Sequence, residues 1–365
     1  MRKGLWTITL LLALGGCGFF RQADHFESHS VSFDELQGWN DDRHAQALAT
    51  FLASCPGLMN KPRPATGGSG LRLNKDIWRS LCEDAAGVPP GNDAEARRYF
   101  ERRFTPYRIA NNGRERGLFT GYYVPTLYAS RKRGGDYKYA IYQPPVGQPS
   151  YTHAEIDRGA LAGQRLELLW VDDPVMLFFL HIQGSGRVRF EDGSQMLIGY
   201  AGQNGYPYAS LGKIMGDEGL LPKDQINFYT IRQYLYDHPA QAFDLMQRNP
   251  SYIFFKRLDR QGAVGAAGSV LVPQRSIAVD ARYIPYGLPL FMETDLPATP
   301  NAPAVPFHRL VIAQDTGGAI KGPVRADIFF GEGADAEYLA GFMKGQGVYS
   351  LLVPREIAGQ LPAGK

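Results

Sequence analysis

Three stretches in the first third of the chain carry apolar residues at helical spacing. Asp41 to Ser54 distributes Ala, Leu and Phe along one face, and Lys75 to Asp84 puts Ile77, Trp78 and Leu81 on one side. Asn92 opens a third helix, with Glu95 three residues on as its capping-box partner and Tyr99, Phe100 and Phe104 as its apolar face. The pattern then shortens to that of strands. Leu118 to Tyr123 is aromatic and is stopped by Pro125; Tyr137 to Tyr142 and Val175 to Ile182 predict further strands. Arg187 to Phe190 runs into Glu191-Asp192-Gly193, an Asp-Gly hairpin signal. Helices are predicted over Ser210–Met215, Ile226–Asp237 and Pro239–Gln247, with a strand at Tyr252–Lys256. The end of the chain is mostly short strands: Ile277–Asp280, Pro289–Thr294, Arg309–Ala313, Asp327–Phe330 and Tyr349–Val353. Ala334–Lys344 is the one clear helix among them. The chain therefore reads as mainly β with helices: a short helical lead, a mixed middle and a β-rich C-terminal barrel or sandwich.

The first residues read as an address. Arg2 and Lys3 precede an apolar run from Leu5 to Leu14, which is shorter than the roughly 20 residues that span a bilayer, so residues 1–16 are expected to be a signal peptide. Leu14-Gly15-Gly16-Cys17 is similar to the lipobox of bacterial lipoproteins, which makes Cys17 the expected lipidated N-terminus. Residues 17–36 are polar and unpatterned, as a tether would be. Losing the leader lowers the net charge from +3 to +1. Neither a basic stripe nor an acidic tail remains to suggest nucleic acid. Cys55 and Cys82 lie in helical segments, where an oxidising compartment would let them pair; buried free thiols are the other reading.

Several familiar sites are missing from the sequence. No GxSxG elbow, Walker loop or HExxH helix occurs. The histidines at 25, 29, 44, 153, 181, 238 and 308 show no metal-ligand spacing with acids, so no metal and no cofactor are expected. His181, in an apolar run, reads as a core residue. What remains is carboxylates in strand-rich, Gly-rich surroundings: Asp280 and Asp315 at strand ends, and Asp327 at a strand start. Carboxylates are costly beside apolar surface unless paired or in use, and converging strand ends would gather these three at one mouth.

Several motifs resemble the membrane-bound lytic murein transglycosylase A family. They are Phe119-Thr120-Gly121-Tyr122-Tyr123-Val124-Pro125, Ile182-Gln183-Gly184-Ser185-Gly186, Tyr200-Ala201-Gly202-Gln203-Asn204-Gly205, the run from Asn249 to Lys256, the run from Asp315 to Gly322, and Ala326-Asp327-Ile328-Phe329-Phe330-Gly331. They follow in order from about Phe119 to Val353. The resemblance implies a double-psi β-barrel with a helical lead, formed by residues 37–125 and 259–365. It also implies an inserted second β-barrel-like domain, residues 126–258, as the other wall of a glycan groove. Gly18 after Cys17 then favours an outer-membrane lipoprotein facing the periplasm. Peptidoglycan strands are the expected partner, wall-synthesis proteins are candidate partners, and the protein is expected to act as a monomer.

The implied reaction cleaves the β-1,4 bond between N-acetylmuramic acid and N-acetylglucosamine and leaves a 1,6-anhydro end. Most glycosidases need two carboxylates. Here the muramyl 6-hydroxyl is an intramolecular nucleophile at high effective concentration, so one carboxylate can act as acid and then base. Asp327 matches the catalytic position, with Asp315 and, more weakly, Asp280 as its supporting neighbours. To act first as an acid it must start protonated, which partial burial or a nearby negative charge would favour. Thr120, Gly121, Tyr122, Gln183, Ser185, Asn204 and Lys321 are the expected substrate contacts, since Tyr and Gln/Asn suit sugar faces and N-acetyl groups. Gly317-Gly318 would let backbone approach a sugar. Two alternatives stay open: an inverting hydrolase with Asp327 as acid and Asp315 as base, and a non-catalytic glycan-binding lipoprotein.

Overall fold

The chain's computed structural model describes residues 23–60, 68–147, 150–299 and 302–361. The expected signal peptide and the expected lipidation site Cys17 lie outside the described residues. Fourteen strands and nine α-helices occur among those described, in two bodies. The first body contains β1 (Phe26–Ser30), α1 (His44–Asn60), α2 (Lys75–Ala86), α3 (Asp93–Arg103), β2 (Phe104–Asn111) and β3 (Gly117–Val124). The second is built from β4 (Thr126–Ser130), β5 (Tyr139–Tyr142), α4 (His153–Asp157), β6 (Glu167–Val171), α5 (Pro174–Gln183), β7 (Ser185–Arg189) and β8 (Gln195–Gln203). It continues through α6 (Leu211–Asp217), α7 (Phe228–Asp237), α8 (Pro239–Gln247) and β9 (Ile253–Leu258). The chain then returns to the first body with β10 (Ser276–Val279), β11 (Pro289–Leu296), β12 (Val305–Asp315), β13 (Arg325–Glu332), α9 (Ala334–Phe342) and β14 (Lys344–Pro354).

Six of these strands close a ring, in the order β3-β14-β11-β12-β10-β13, with β13 pairing back to β3. The β10/β12 and β3/β13 pairs are parallel and the others antiparallel. β14 is long enough to be shared: Lys344–Gly347 pairs with β3, and Ser350–Pro354 pairs with β2 outside the ring. Strands buried on both faces read as continuous apolar runs, and every residue of β10 is buried. One core joins the ring to α1–α3, where Phe51, Trp78, Tyr99 and Phe104 meet ring to ring.

The helical lead forms as its pattern predicts, with refinements at the ends. Asn74 caps α2 by accepting from the amides of Asp76 and Ile77, and Asn92 caps α3 by accepting from Glu95 N at 3.0 Å. Cys55 and Cys82 form a disulfide that ties α1 to α2. It closes a loop with a sequence separation of 27. Replacing both cysteines with serine is expected to cost about 3–4 kcal/mol, read as a lower urea midpoint than the oxidised parent, with an equal loss when the parent is reduced.

Two sequence expectations are corrected here. Val175–Ile182 is not a strand but the core of helix α5. Asp173 accepts from the amides of Val175 and Met176, Pro174 holds the first helical position, and Gly184 ends the helix at φ +78°. A continuous apolar run, here buried except at Met176 and Ile182, shows no period, so its end signals decide its type. Likewise Phe26–Ser30, read as tether, is the edge strand β1, pairing with β2 from Phe26↔Asn111 to Ser30↔Tyr107.

The second body is a six-stranded sheet, β5-β6-β4-β7-β8-β9, with helices α4–α8. The predicted hairpin is present as β7 and β8. No pairing between β5 and β9 closes this sheet among the described residues, so it is an open sheet with helices and not a second ring. The bodies are braced by Arg187 on Glu332 (2.5 and 2.7 Å), Arg232 on Glu337 (2.9 Å), and the stacked rings of Tyr229 and Phe342.

Candidate active site

Strand register brings the sequence-predicted residues into one row. Ala278 on β10 lies opposite Asp315 on β12 and Asp327 on β13; Asp327 lies opposite Thr120 on β3, and Thr120 opposite Lys344 on β14. Residues opposite one another on adjacent strands share a face of the sheet. Asp315 and Asp327 thus flank one strand, with Cα atoms about 10 Å apart by the usual strand spacing. A bulge between Ile277 and Ala278 sets this row, shifting the register so that Asp315 and not Gln314 faces Ala278. Gln314 instead points into the core, where its amide nitrogen donates to Ser54 Oγ at 2.6 Å and to Thr50 O at 3.1 Å.

Asp327 sits in a polar knot. Arg325 Nη1 donates to its Oδ1 at 2.5 Å, the Thr120 hydroxyl donates to the same oxygen, and Arg325 Nη2 donates to Thr120 Oγ1 at 2.8 Å. The Asp327 side chain keeps 19% exposure, so it is not sealed from solvent. Arg325 was not among the sequence candidates. The signal was present: residues two apart on a strand point to the same face, and Arg325-Ala326-Asp327 starts β13.

Asp315 is held differently. Ala266 N donates to Oδ1 at 2.9 Å and the Tyr122 hydroxyl to Oδ2 at 3.0 Å. Burial pushes its carboxyl up to about 6, against the lowering effect of those bonds, and the Asp327 charge adds a smaller upward push. A folded-state value above the unfolded one means that the native protein binds more protons between about pH 4 and pH 6. This group's contribution is therefore fully present below about pH 4 and is lost as pH rises through about 6. Asp315→Asn lacks that loss, because a carboxamide does not ionise in this range and so carries no buried charge as pH rises. Relative to the parent it should gain about 2 kcal/mol between pH 4 and pH 7.5; denaturant midpoints at the two pH values check this.

Asp280 does not join the row's chemistry. Arg282 clamps it, with Nε donating to Oδ1 at 2.9 Å and Nη2 to Oδ2 at 2.5 Å, while the Gly322 amide donates to Oδ2 at 2.8 Å. Burial pushes its carboxyl up, but these bonds outweigh that and hold it below the usual range. Gly322, at φ +101°, takes a conformation that suits only glycine, and its amide thereby pins the loop after Ile320 to the ring. Asp280 is thus a loop anchor and not a partner of Asp327.

The expected substrate contacts divide. Lys321 is exposed in that same loop. Gly121 is a packing residue: a Cβ there would lie 2.3 Å from the Phe330 ring and 3.1 Å from Ala340 Cα on α9. The Tyr122 hydroxyl is spent on Asp315. Gln183 Oε1 accepts from Tyr123 N at 3.0 Å, which joins α5 to β3 and leaves its amide nitrogen free among the described residues. Ser185 is buried in β7 opposite Gly199. Asn204 is saturated: its nitrogen donates to Tyr151 O (2.9 Å) and Pro250 O (2.8 Å), and its oxygen accepts from Tyr252 N (2.9 Å) and Tyr206 N (3.4 Å). Its role is to fasten the chain after β8, not to touch a ligand. His181 is a buried core residue, as expected, although on a helix. The close approach that Gly318 permits is to Tyr208 of the second body, whose Cβ lies 3.2 Å from the position a Cβ on Gly318 would take. Burial raises the Tyr208 phenol, and the Asp327 charge adds to this against the lowering effect of a hydrogen bond with Ser210.

Two family models match this chain: the MltA specific insert domain over residues 146–256 and the 3D domain over residues 275–353. Membrane-bound lytic murein transglycosylase A of Escherichia coli (strain K12) is 35% identical over 250 residues, covering 67% of this chain and 68% of that protein. The chain belongs to the membrane-bound lytic murein transglycosylase A family. Among solved structures of similar proteins, the membrane-bound lytic murein transglycosylase from Agrobacterium tumefaciens superposes with a TM-score of 0.81 at 32% identity, over 92% of this chain and 99% of that one. The E. coli MltA structure with bound chitohexaose matches with a TM-score of 0.66 at 28% identity, over 84% of this chain and 90% of that one. The family model for the 3D domain spans Asp280, Asp315 and Asp327; Ala278 and Lys344 of the row and the loop anchor lie inside it, whereas Thr120 comes from β3 outside it.

Proposed function

We propose that this chain is a lytic transglycosylase that cleaves peptidoglycan glycan strands, with Asp327 as the single acid and base. As a member of its family the chain acts on murein, and the chitohexaose bound to its E. coli relative is a β-1,4-linked amino-sugar oligomer of the same backbone chemistry. The observation that carries the residue assignment is the Asp327 knot. One carboxyl, partly open to solvent, has its charge opposed by Arg325 and its orientation set by Thr120.

In the reaction, protonated Asp327 gives its proton to the glycosidic oxygen as the bond from muramyl C1 to that oxygen breaks. Positive charge grows on C1 and the sugar's 6-hydroxyl closes on it. The proton of that hydroxyl passes to the Asp327 carboxylate, which is restored to its starting form. Negative charge develops on Asp327 during the first transfer, and Arg325 at 2.5 Å stabilises it there. Both oxygens of Asp315 are already engaged, which disfavours it as the base for a water and supports the anhydro product over an inverting hydrolysis. Asp315 and Tyr122 then serve as a positioning pair beside the reacting carboxyl.

In this reading residues 37–125 and 259–365 form the catalytic domain, a double-psi barrel with its helical lead. Residues 126–258 form the inserted wall of the glycan groove. Tyr208, Lys321 and the free amide nitrogen of Gln183 are the remaining substrate contacts. The name "membrane-bound" that its relatives carry supports a place in the cell envelope; Cys17 as a lipidated N-terminus would hold the protein on the outer membrane, facing the periplasm, as a monomer. Mass spectrometry of muropeptides released from purified sacculi tests the function. The 1,6-anhydromuramyl product is expected, and reducing ends in its place would overturn the reading.

A further inference from the structure

A cavity of about 670 Å³ opens in the second body and shares no residue with the aspartate row. Its size is within the range of small-ligand sites. Tyr139, Trp170 and Phe243 supply aromatic surface, the last of these 39% exposed. Polar groups with unused capacity converge among them. The hydroxyls of Tyr142 and Tyr252 make no hydrogen bond among the described residues, and Asp157 accepts only from Gln247, at 3.1 Å. His153, nearly fully buried, faces the Asn249 backbone, and its Nε2 stands 3.6 Å from Asp157. Glu167 adds a second carboxylate. Buried polar groups left unpaired cost free energy that a ligand with matching donors and acceptors would offset.

The charges on the wall balance. Arg133 and Lys138 oppose Asp157 and Glu167, and burial lowers the His153 imidazole toward its neutral form. Aromatic faces with many unpaired hydrogen-bonding groups and no net charge suit a neutral polyhydroxylated ring, whose C–H face stacks while its hydroxyls bond sideways. An anionic or cationic peptide would call for an excess of one sign. We infer that this cavity is a second glycan site, which takes an N-acetylhexosamine segment of the strand away from the cleavage point. The inference stands on the cavity's own chemistry, and turnover at Asp327 is measured separately, so either can fail alone.

Trp170 gives the experiment its probe. Of the four tryptophans, Trp39 and Trp78 are sealed in the first body's core and Trp6 lies in the expected signal peptide, whereas Trp170 is partly exposed in the cavity wall. In the Asp327→Asn protein, chitohexaose should produce a saturable change in tryptophan emission. Glu167→Gln and Tyr142→Phe should each weaken that binding at least about tenfold, while leaving release of anhydro products from short soluble glycans within about twofold of the parent. Unaltered thermal melts show that these variants fold. Absence of a saturable change overturns the proposal, as does an equal change with a sugar-free stem peptide, or binding unaffected in both variants.

Discussion

Asp327→Ala is expected to lose anhydromuropeptide release by about 10³–10⁴-fold, because a single carboxyl supplies both proton transfers. Asp327→Asn should lose as much while keeping the oxygen that accepts from Thr120. That pair of variants separates chemistry from architecture. The alanine variant leaves the Arg325 guanidinium, 14% exposed, without its anion, and should melt lower than the parent. The asparagine variant retains more of the knot and should melt closer to it. Chitohexaose affinity is expected to change by no more than about threefold in either, since the reacting carboxyl contributes to the transition state and not to ground-state binding. Mass spectrometry of released muropeptides, beside calorimetric binding, reads both quantities. Residual activity within tenfold of the parent would overturn the assignment of Asp327 and move attention to Asp315.

Arg325→Met should lower kcat by about 10²–10³-fold with little change in KM, the size expected when a preorganised donor to developing charge is removed. Arg325→Lys should recover part of that loss. It restores the charge, but a lysine ammonium cannot reproduce the guanidinium's separate bonds to Asp327 and Thr120. A role confined to folding predicts something else: equal kcat in Met and Lys variants that melt differently. Rates on a soluble glycan, with melting temperatures taken alongside, decide between them. Methionine at full activity would remove Arg325 from the reaction.

These two residues also mark where sequence reading stops. Asp327 could be selected from the sequence because carboxylates in apolar, Gly-rich strands are expensive and because the surrounding motif resembles a family. Arg325, two positions earlier, can be placed beside Asp327 from strand alternation, but its bond to Thr120, on a strand more than 200 residues away, is set only by the fold. Asp280 was grouped with the other two aspartates on position alone; its clamp by Arg282 and the Gly322 amide is visible only once the loop is folded. Asn204 and Gln183 look like sugar ligands by residue type, yet tertiary contacts use up one entirely and the other in part. Helix α5 shows the same limit in secondary structure, because an apolar run without a period fits either a buried strand or a buried helix.

By itself the sequence determined what depends on near neighbours: the capped helices of the lead, the Asp-Gly hairpin, the strand-rich end and the motifs that place the chain in its family. These follow from backbone preferences and side chains a few residues apart, which every copy of the segment carries with it. Only the tertiary structure decided which polar groups are left to act. Closure of the ring and the bulge before Ala278 set the register that lines up Asp315, Asp327 and Thr120. A slip of one residue would turn each of those side chains to the other face. Register is a property of strands meeting across long loops, so no local pattern could have fixed it.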